Sequence, residues 1–138
     1  MLSHPSHPGN IGAAARAMKT MGLSRLTLVN PRRFPDDEAV ARAAGAGDIL
    51  AQAQVCTNLD AALADSVFAY AVSARHRNLG PPALQARQAA ADVLAKASTG
   101  EVALLFGNET AGLSNAEVQR CRCAIFIPAN PEYTSLNL

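Results

Sequence analysis

Short β-type runs alternate with alanine-rich helical segments from one end of the chain to the other. This order limits the fold more than any single motif does, because strands that alternate with helices favour βαβ units and a parallel sheet. We therefore expect an α/β fold with a mostly parallel sheet flanked by helices. The predicted strands are Leu26–Val29, Val67–Val72, Glu101–Phe106 and Ala124–Ile127, and the predicted helices are Ile11–Leu23, Asp36–Ala44, a short helix capped by Asn58 that ends at Leu63, Ala83–Ala97 and Ala116–Arg120.

The size and composition indicate one folded domain. The chain has 138 residues, of which 49% are hydrophobic and 17% charged, and this excludes a disordered chain. No apolar run approaches the roughly 20 residues of a membrane span, and Met1 is not followed by a signal-peptide pattern. Three cysteines, an odd number, indicate free thiols in a reducing compartment. We expect a single cytoplasmic domain over residues 1–138.

The charge is nearly balanced overall but is unevenly distributed. The formal net charge is +1, yet residues 1–87 carry nine basic and six acidic side chains, whereas residues 88–138 carry three and five. Ten of the twelve basic residues are arginines, whose planar donors suit phosphate. The sequence thus lacks the overall basic charge of many nucleic-acid-binding domains but leaves room for a local arginine patch.

Three polar loops follow predicted strands, where ligands bind in open parallel sheets. The first, Val72–Arg77, ends in three potentially cationic side chains, and the second, Gly107–Asn115, contains a Gly-x-Glu-x-x-Gly pattern with Asn115 as the expected cap of the next helix. The third, Pro128–Asn137, holds two prolines and several hydroxyl and amide side chains. Each loop taken alone also fits an ordinary role as a solvated loop, a plain turn or a helix cap.

Asn10 and Arg16 lie at the start of the first predicted helix and within it. Arg16 stands among alanines, and the sequence leaves open whether it is a surface charge or a ligand for phosphate and hydroxyl groups. Six helical positions place the two side chains about 240° apart, so Asn10 shares a cleft with Arg16 only from a loop before the helix.

Several familiar sites can be excluded. The spacing of Gly9 and Gly12 does not match the dinucleotide fingerprint, and no phosphate-binding Walker loop is present. The histidines lack metal-ligand spacing, and His4 and His7 are expected to be exposed. Cys121 and Cys123, at alternate positions of a predicted strand, are expected in the core. We predict no metal site.

Three segments together resemble the motifs of the SPOUT (SpoU-type) RNA 2′-O-ribose methyltransferases. They are His7–Gly22 (HPGNIGAAARAMKTMG), Phe106–Leu113 (FGNETAGL) and Asn130–Leu138 (NPEYTSLNL). Each motif alone is weak, but three in this order over nearly the whole chain form a specific signal. The most similar branch methylates nucleotide 32 in the anticodon loop of tRNA.

The resemblance implies a C-terminal trefoil knot, a homodimer, tRNA as the partner, and S-adenosylmethionine as the methyl donor, with S-adenosylhomocysteine as its product. It assigns catalytic or RNA-facing roles to Asn10, Arg16, Glu109, Ser135 and Asn137. It assigns cofactor contacts to Val72, Ser73, Ala74, Gly107, Ile127, Thr134, Ser135 and Leu136.

Two departures from the family pattern bear on these roles. Many relatives carry Arg where this chain has Asn108, so a phosphate contact is expected to be weaker here. Family members also continue beyond the equivalent of Leu138 into the helix that completes the knot, and the domain is expected to lack that helix.

The mechanism implied by the resemblance is transfer of a methyl group to a ribose 2′-oxygen. We expect Arg16 to hold the adjacent phosphate and stabilise charge on that oxygen, because a guanidinium is too weak a base to accept the proton. Glu109 would then hold Arg16, and Ser135 and Asn137 would orient the hydroxyl. The alternatives are a methyltransferase for another tRNA position or for ribosomal RNA, and a non-catalytic knotted RNA-binding module.

Overall fold

The computed structural model describes residues 1–74, 80–130 and 132, and the chain divides into two compact units, Met1–Ala62 and Leu63–Leu138. Both contain parallel strands and helices, so the expected α/β class is confirmed. The single domain over residues 1–138 and the knot stay predictions. None of the helices in the described residues is both long and apolar enough to cross a membrane.

The first unit is a three-stranded parallel sheet with helices. Its elements are β1 (Leu2–Ser3), α1 (Pro8–Thr20), β2 (Thr27–Val29), α2 (Asp37–Ala43), a 3₁₀ turn (Ala44–Ala46), α3 (Gly47–Ala51), β3 (Gln54–Cys56) and α4 (Leu59–Leu63), which reaches the boundary. The strands lie in the order β3-β2-β1. The sequence patterns missed β1, which has only two residues, and β3, in which only Cys56 is buried.

The core of this unit is built by α1, α2, α3 and β2, with α1 packed against α2. The buried residues of α1 have the spacing of one helical face, namely Pro8, Ile11, Gly12 and Ala15. Gly12 lets the two helices approach closely, because a Cβ there would lie 2.1 Å from the Ala39 carbonyl oxygen. Asp36 starts α2 as expected, since its carboxylate accepts the Glu38 N–H. Asn58 likewise accepts the Ala61 N–H at the start of α4.

The second unit is a four-stranded parallel sheet in the order β6-β4-β7-β5. Its elements are β4 (Ser66–Val72), β5 (Ala83–Gln85), α5 (Ala86–Ala97), β6 (Glu101–Phe106), α6 (Asn115–Gln119) and β7 (Cys123–Phe126). Its core contains Tyr70, Ala89, Cys123 and Ile125, with Tyr70 fully buried.

Several boundaries in this unit differ from the sequence prediction, and β4 and β7 each begin one residue earlier than predicted. The predicted helix Ala83–Ala97 begins only at Ala86, because residues 83–85 pair with β7 and the capping box formed by Gln85 and Gln88 starts the helix after them. The cap of α6 is Ser114 rather than Asn115, since Ser114 and Glu117 form a reciprocal capping box.

Candidate active site

The carboxyl ends of β4, β6 and β7 lie side by side in the second unit. Val72 at the end of β4 is opposite Phe106 of β6 and Ile125 of β7. The Ser73 N–H donates to the Ile125 carbonyl at 2.9 Å, which keeps the next residue of β4 at the same edge. The three strands therefore end together, as a ligand-binding edge of a parallel sheet requires.

Five of the residues predicted to contact the cofactor lie at this edge. Val72 ends β4 and is followed by Ser73 and Ala74, Gly107 directly follows β6, and Ile127 directly follows β7. Val72, Ser73 and Gly107 are half-buried, whereas Ala74 and Ile127 are exposed. The edge thus presents main-chain groups and small or apolar side chains. Their contact with a cofactor stays a prediction.

Position 107 requires glycine, because the loop after it folds back and brings Gly112 and Leu113 against it. A Cβ at this position would lie 2.3 Å from the carbonyl carbon of Gly112 and 2.3 Å from the nitrogen of Leu113. Both neighbours are backbone atoms, so no side-chain rotation could relieve the contact. Gly112 has a φ of +68°, a conformation that glycine adopts without strain. The two glycines are thus required by the shape of the turn.

Asn108 closes the turn that carries Glu109. Its Oδ1 accepts the N–H groups of Thr110 at 2.9 Å and Ala111 at 3.0 Å. Its main chain pairs with Gly112, whose N–H donates to the Asn108 carbonyl at 2.8 Å. Asn108 Nδ2 also lies 3.4 Å from Glu109 Oε2. The exposed Glu109 is therefore held on a closed turn, and a sequence pattern alone did not show this use of the asparagine.

Arg16 lies on the outer face of α1 in the first unit. It is exposed, as are Ala13 and Ala17 beside it, while Ala15 points into the core. In the described part of the chain, the Arg16 guanidinium has no carboxylate partner. An exposed arginine of this kind can bind a phosphate without first breaking an ion pair.

Lys19, one turn further along α1, is engaged by the fold. Its Nζ donates to Asp48 Oδ1 at 2.8 Å and to the Gly45 carbonyl at 3.0 Å. The hydrogen bond from Lys19 lowers the pKa of the Asp48 carboxyl. The two basic residues of α1 thus have different roles. Lys19 links α1 to Gly45 and Asp48, whereas Arg16 makes no such link.

The predicted helix start at Ile11 is three residues late, because α1 begins at Pro8 and includes Asn10. Asn10 belongs to the first turn of α1, because Pro8 is well suited to begin a helix and the Asn10 N–H donates to the His7 carbonyl. It is half-buried. Asn10 and Arg16 therefore occupy different faces of one helix.

The cysteines are structural groups. All three are free and buried, as expected, but Cys121 precedes β7 instead of lying on it. Burial raises the pKa of the Cys121 thiol to about 11, and burial also raises the pKa of Cys123. Protonated thiols of this kind are poor nucleophiles. Within the described residues, no group of three or more His, Cys, Asp or Glu side chains could hold a metal.

The remaining predicted site residues lie outside the described residues. These are Thr134, Ser135, Leu136 and Asn137 of the third loop, together with Arg75, His76 and Arg77 of the first. His4 and His7, within the described residues, are exposed as expected.

Comparison with known proteins shows the family of the chain. The sequence pattern of the SpoU rRNA Methylase family matches residues 1–138. A tRNA (cytidine/uridine-2′-O-)-methyltransferase TrmJ from Sodalis glossinidius is 51% identical over 138 residues, which are all of this chain and 54% of that protein. A tRNA (cytidine/uridine/adenosine-2′-O-)-methyltransferase TrmJ from Pseudomonas aeruginosa is 52% identical, again over all of this chain and 54% of that protein.

The solved structures agree with the sequence comparison. The crystal structure of TrmJ from Z. mobilis superposes with a TM-score of 0.92 at 40% identity, covering 99% of this chain and 61% of that one. The chain spans about half the length of the curated relatives it matches. The match over every residue and the shared fold lead to one conclusion: the chain belongs to the SpoU rRNA methylase family.

Proposed function

We propose that this chain is the catalytic domain of an S-adenosylmethionine-dependent RNA 2′-O-methyltransferase that modifies nucleotide 32 in the anticodon loop of tRNA. The observation that carries the proposal is the common edge formed by β4, β6 and β7, in a chain of this family. The two curated relatives named for tRNA 2′-O-methylation support the substrate class. The nucleotide position rests on the resemblance of the third motif.

The edge of the second unit fits the proposed cofactor. Gly107 and Ile127 place main-chain groups directly after β6 and β7, and main-chain groups suit the polar parts of S-adenosylmethionine. Ala74 and Ile127 offer apolar surface for an adenine ring. The bound cofactor would supply a methyl group that its sulfonium already activates, and the protein would supply alignment.

Arg16 is the residue we propose to act on the RNA. Its guanidinium would hold the phosphate next to the target ribose and stabilise negative charge developing on the 2′-oxygen. It would not accept the proton, since a guanidinium is too weak a base. The roles of Asn10, Glu109, Ser135 and Asn137 rest on the family resemblance.

The proposed partners and location follow the family. We propose a homodimer that binds tRNA in the cytoplasm. The net charge of +1 indicates that RNA binding depends on a few placed arginines and not on a uniformly basic surface.

An Arg16→Ala variant tests the proposed role. Methyl transfer should fall by about 100-fold or more, as for other losses of a transition-state contact, while cofactor affinity stays nearly unchanged. Lys19→Ala is the matched control, because it removes a basic residue of the same helix that is already paired with Asp48. Equal loss of turnover and cofactor binding in Arg16→Ala would instead indicate a structural role.

Ribosomal RNA is the second candidate substrate, because the matching family is described by rRNA methylation. Another tRNA position and a non-catalytic RNA-binding module are further alternatives. Methylation of ribosomal RNA but not tRNA would favour the second candidate. An absence of any cofactor binding would favour the non-catalytic module.

A further inference from the structure

Two adjacent arginines follow β2 and have different surroundings. Arg33 donates to Asp36 Oδ2 at 2.7 Å, and the other oxygen of Asp36 accepts the Glu38 N–H at the start of α2. Arg33 is thus part of the structure that begins α2. Arg32 is exposed, and in the described residues its guanidinium has no carboxylate partner.

The main chain holds Arg32 beside the connection between β1 and α1. Ser3 is opposite Val29 in the parallel pair, and the His4 N–H donates to the Val29 carbonyl at 2.8 Å. The Arg32 N–H then donates to the Pro5 carbonyl at 3.0 Å. The position of Arg32 next to this connection is therefore fixed by backbone hydrogen bonds that any side chain except proline would keep.

Both strands leave the sheet through left-handed residues. His4 has a φ of 51° and Asn30 a φ of 45°, and these residues directly follow β1 and β2. The two chain segments therefore turn at the same carboxyl edge, which is the ligand-binding edge of parallel sheets. The connection that contacts Arg32 leads within five residues to Asn10, which the family resemblance assigns to RNA.

Two of the three acids that follow Arg33 are engaged elsewhere, and no ion pair joins Arg32 to the third, Asp37, in the described residues. Asp36 is occupied by Arg33 and by the helix cap. Glu38 points its carboxylate toward α1, because a Cβ at Gly9 would lie 2.8 Å from Glu38 Oε1. Gly9 belongs to the first turn of α1, whose N–H groups carry partial positive charge. The positive charge of Arg32 is left available at the edge.

We infer that Arg32 binds a phosphate of the RNA substrate, whereas Arg33 serves the fold. The inference rests on the proposed function, since it takes RNA as the substrate. It adds a contact to the RNA backbone, made by the first unit and outside the three family motifs.

The test measures tRNA binding at several salt concentrations for the wild-type chain and for Arg32→Ala and Arg33→Ala. The two variants lose the same formal charge, so their difference isolates the local contact. Arg32→Ala should weaken binding severalfold and lower the slope of log K against log salt by roughly 0.7–0.9. Arg33→Ala should keep most of the slope and lower the melting temperature, because Asp36 loses its partner.

Arg32→Lys keeps the charge and should restore most of the slope. Arg32→Gln provides a second neutral variant with a long side chain, should Arg32→Ala fold poorly. Equal slopes for the wild type, Arg32→Ala and Arg32→Gln would overturn the inference. A wild-type chain that binds no RNA at all would instead contradict the proposed function.

Discussion

The side chain of Asn108 holds the backbone of its own turn in place. Its Oδ1 accepts two N–H groups in the turn that holds Glu109. We predict that Asn108→Ala lowers the free energy of unfolding by about 1 kcal/mol, since it removes these bonds from an exposed turn. Methyl transfer should fall by more than this loss explains, because Glu109 is no longer held. Thermal melts and single-turnover rates check both effects.

Asn108→Asp is the matched control, because a carboxylate can accept the same two N–H groups. It should keep most of the stability that Asn108→Ala loses, although its second oxygen replaces Nδ2 at 3.4 Å from Glu109 Oε2 and repels that carboxylate. If Asn108→Ala transfers methyl groups as fast as the wild type, the turn does not position Glu109.

Because two thiols are buried, we predict that the stability of the folded chain falls at alkaline pH. Burial raises the pKa of Cys121 to about 11, from an ordinary value near 9, so the folded chain keeps a proton that the unfolded chain releases between these values. This contribution to stability is present below pH 9 and is lost as the pH rises toward 11, with a slope of up to about 1.4 kcal/mol per pH unit. Denaturant unfolding at pH 8 to 10 measures it.

Cys121→Ala should make that decline shallower. Removing Cys123 as well should make it shallower still, because burial raises the pKa of that thiol in the same direction. A wild-type free energy of unfolding that stays constant between pH 9 and 10 would contradict a raised pKa of the Cys121 thiol.

At the scale of the elements, the crossing of α1 and α2 depends on Gly12. A Cβ there would lie 2.1 Å from the Ala39 oxygen and 2.9 Å from the Ala43 nitrogen, and the helices would have to separate. We predict that Gly12→Ala destabilises the chain by roughly 2–3 kcal/mol, a typical cost of overpacking. Chemical denaturation gives the value.

Gly47→Ala provides the comparison in the same unit. Nothing lies within 4 Å of a Cβ at Gly47, which has the helical φ of −60°. This substitution should stabilise the chain by about 0.4–1 kcal/mol, because alanine restricts the unfolded chain. Equal effects of the two substitutions would show that the helix crossing does not depend on Gly12.

Elements with a strong local signal were predictable from the sequence. β6 has the predicted bounds, and α2 starts after Asp36 as its acidic first turn indicated. β5 was not predictable, because an alanine-rich segment became a strand only through its pairing with β7. The position of the candidate site at one edge of the sheet was predictable from the order of the strands. The different partners of Arg32 and Arg33 were not, because they depend on contacts between residues far apart in the sequence or on side-chain geometry.

At the scale of the whole molecule, the proposed RNA binding depends on a few individually placed charges. The net charge is only +1, so the chain has little long-range attraction for RNA. We therefore attribute the proposed RNA binding to individual contacts such as those proposed for Arg16 and Arg32, and the proposed homodimer would present each of them twice.

The most direct test is methyl transfer from labelled S-adenosylmethionine to unmodified tRNA, followed by mapping of the labelled nucleotide. We predict label on the 2′-oxygen of nucleotide 32 in the anticodon loop, and its loss in Arg16→Ala but not in Lys19→Ala. Cofactor binding without label in any tRNA, or label on a base instead of a ribose, would contradict the proposed function.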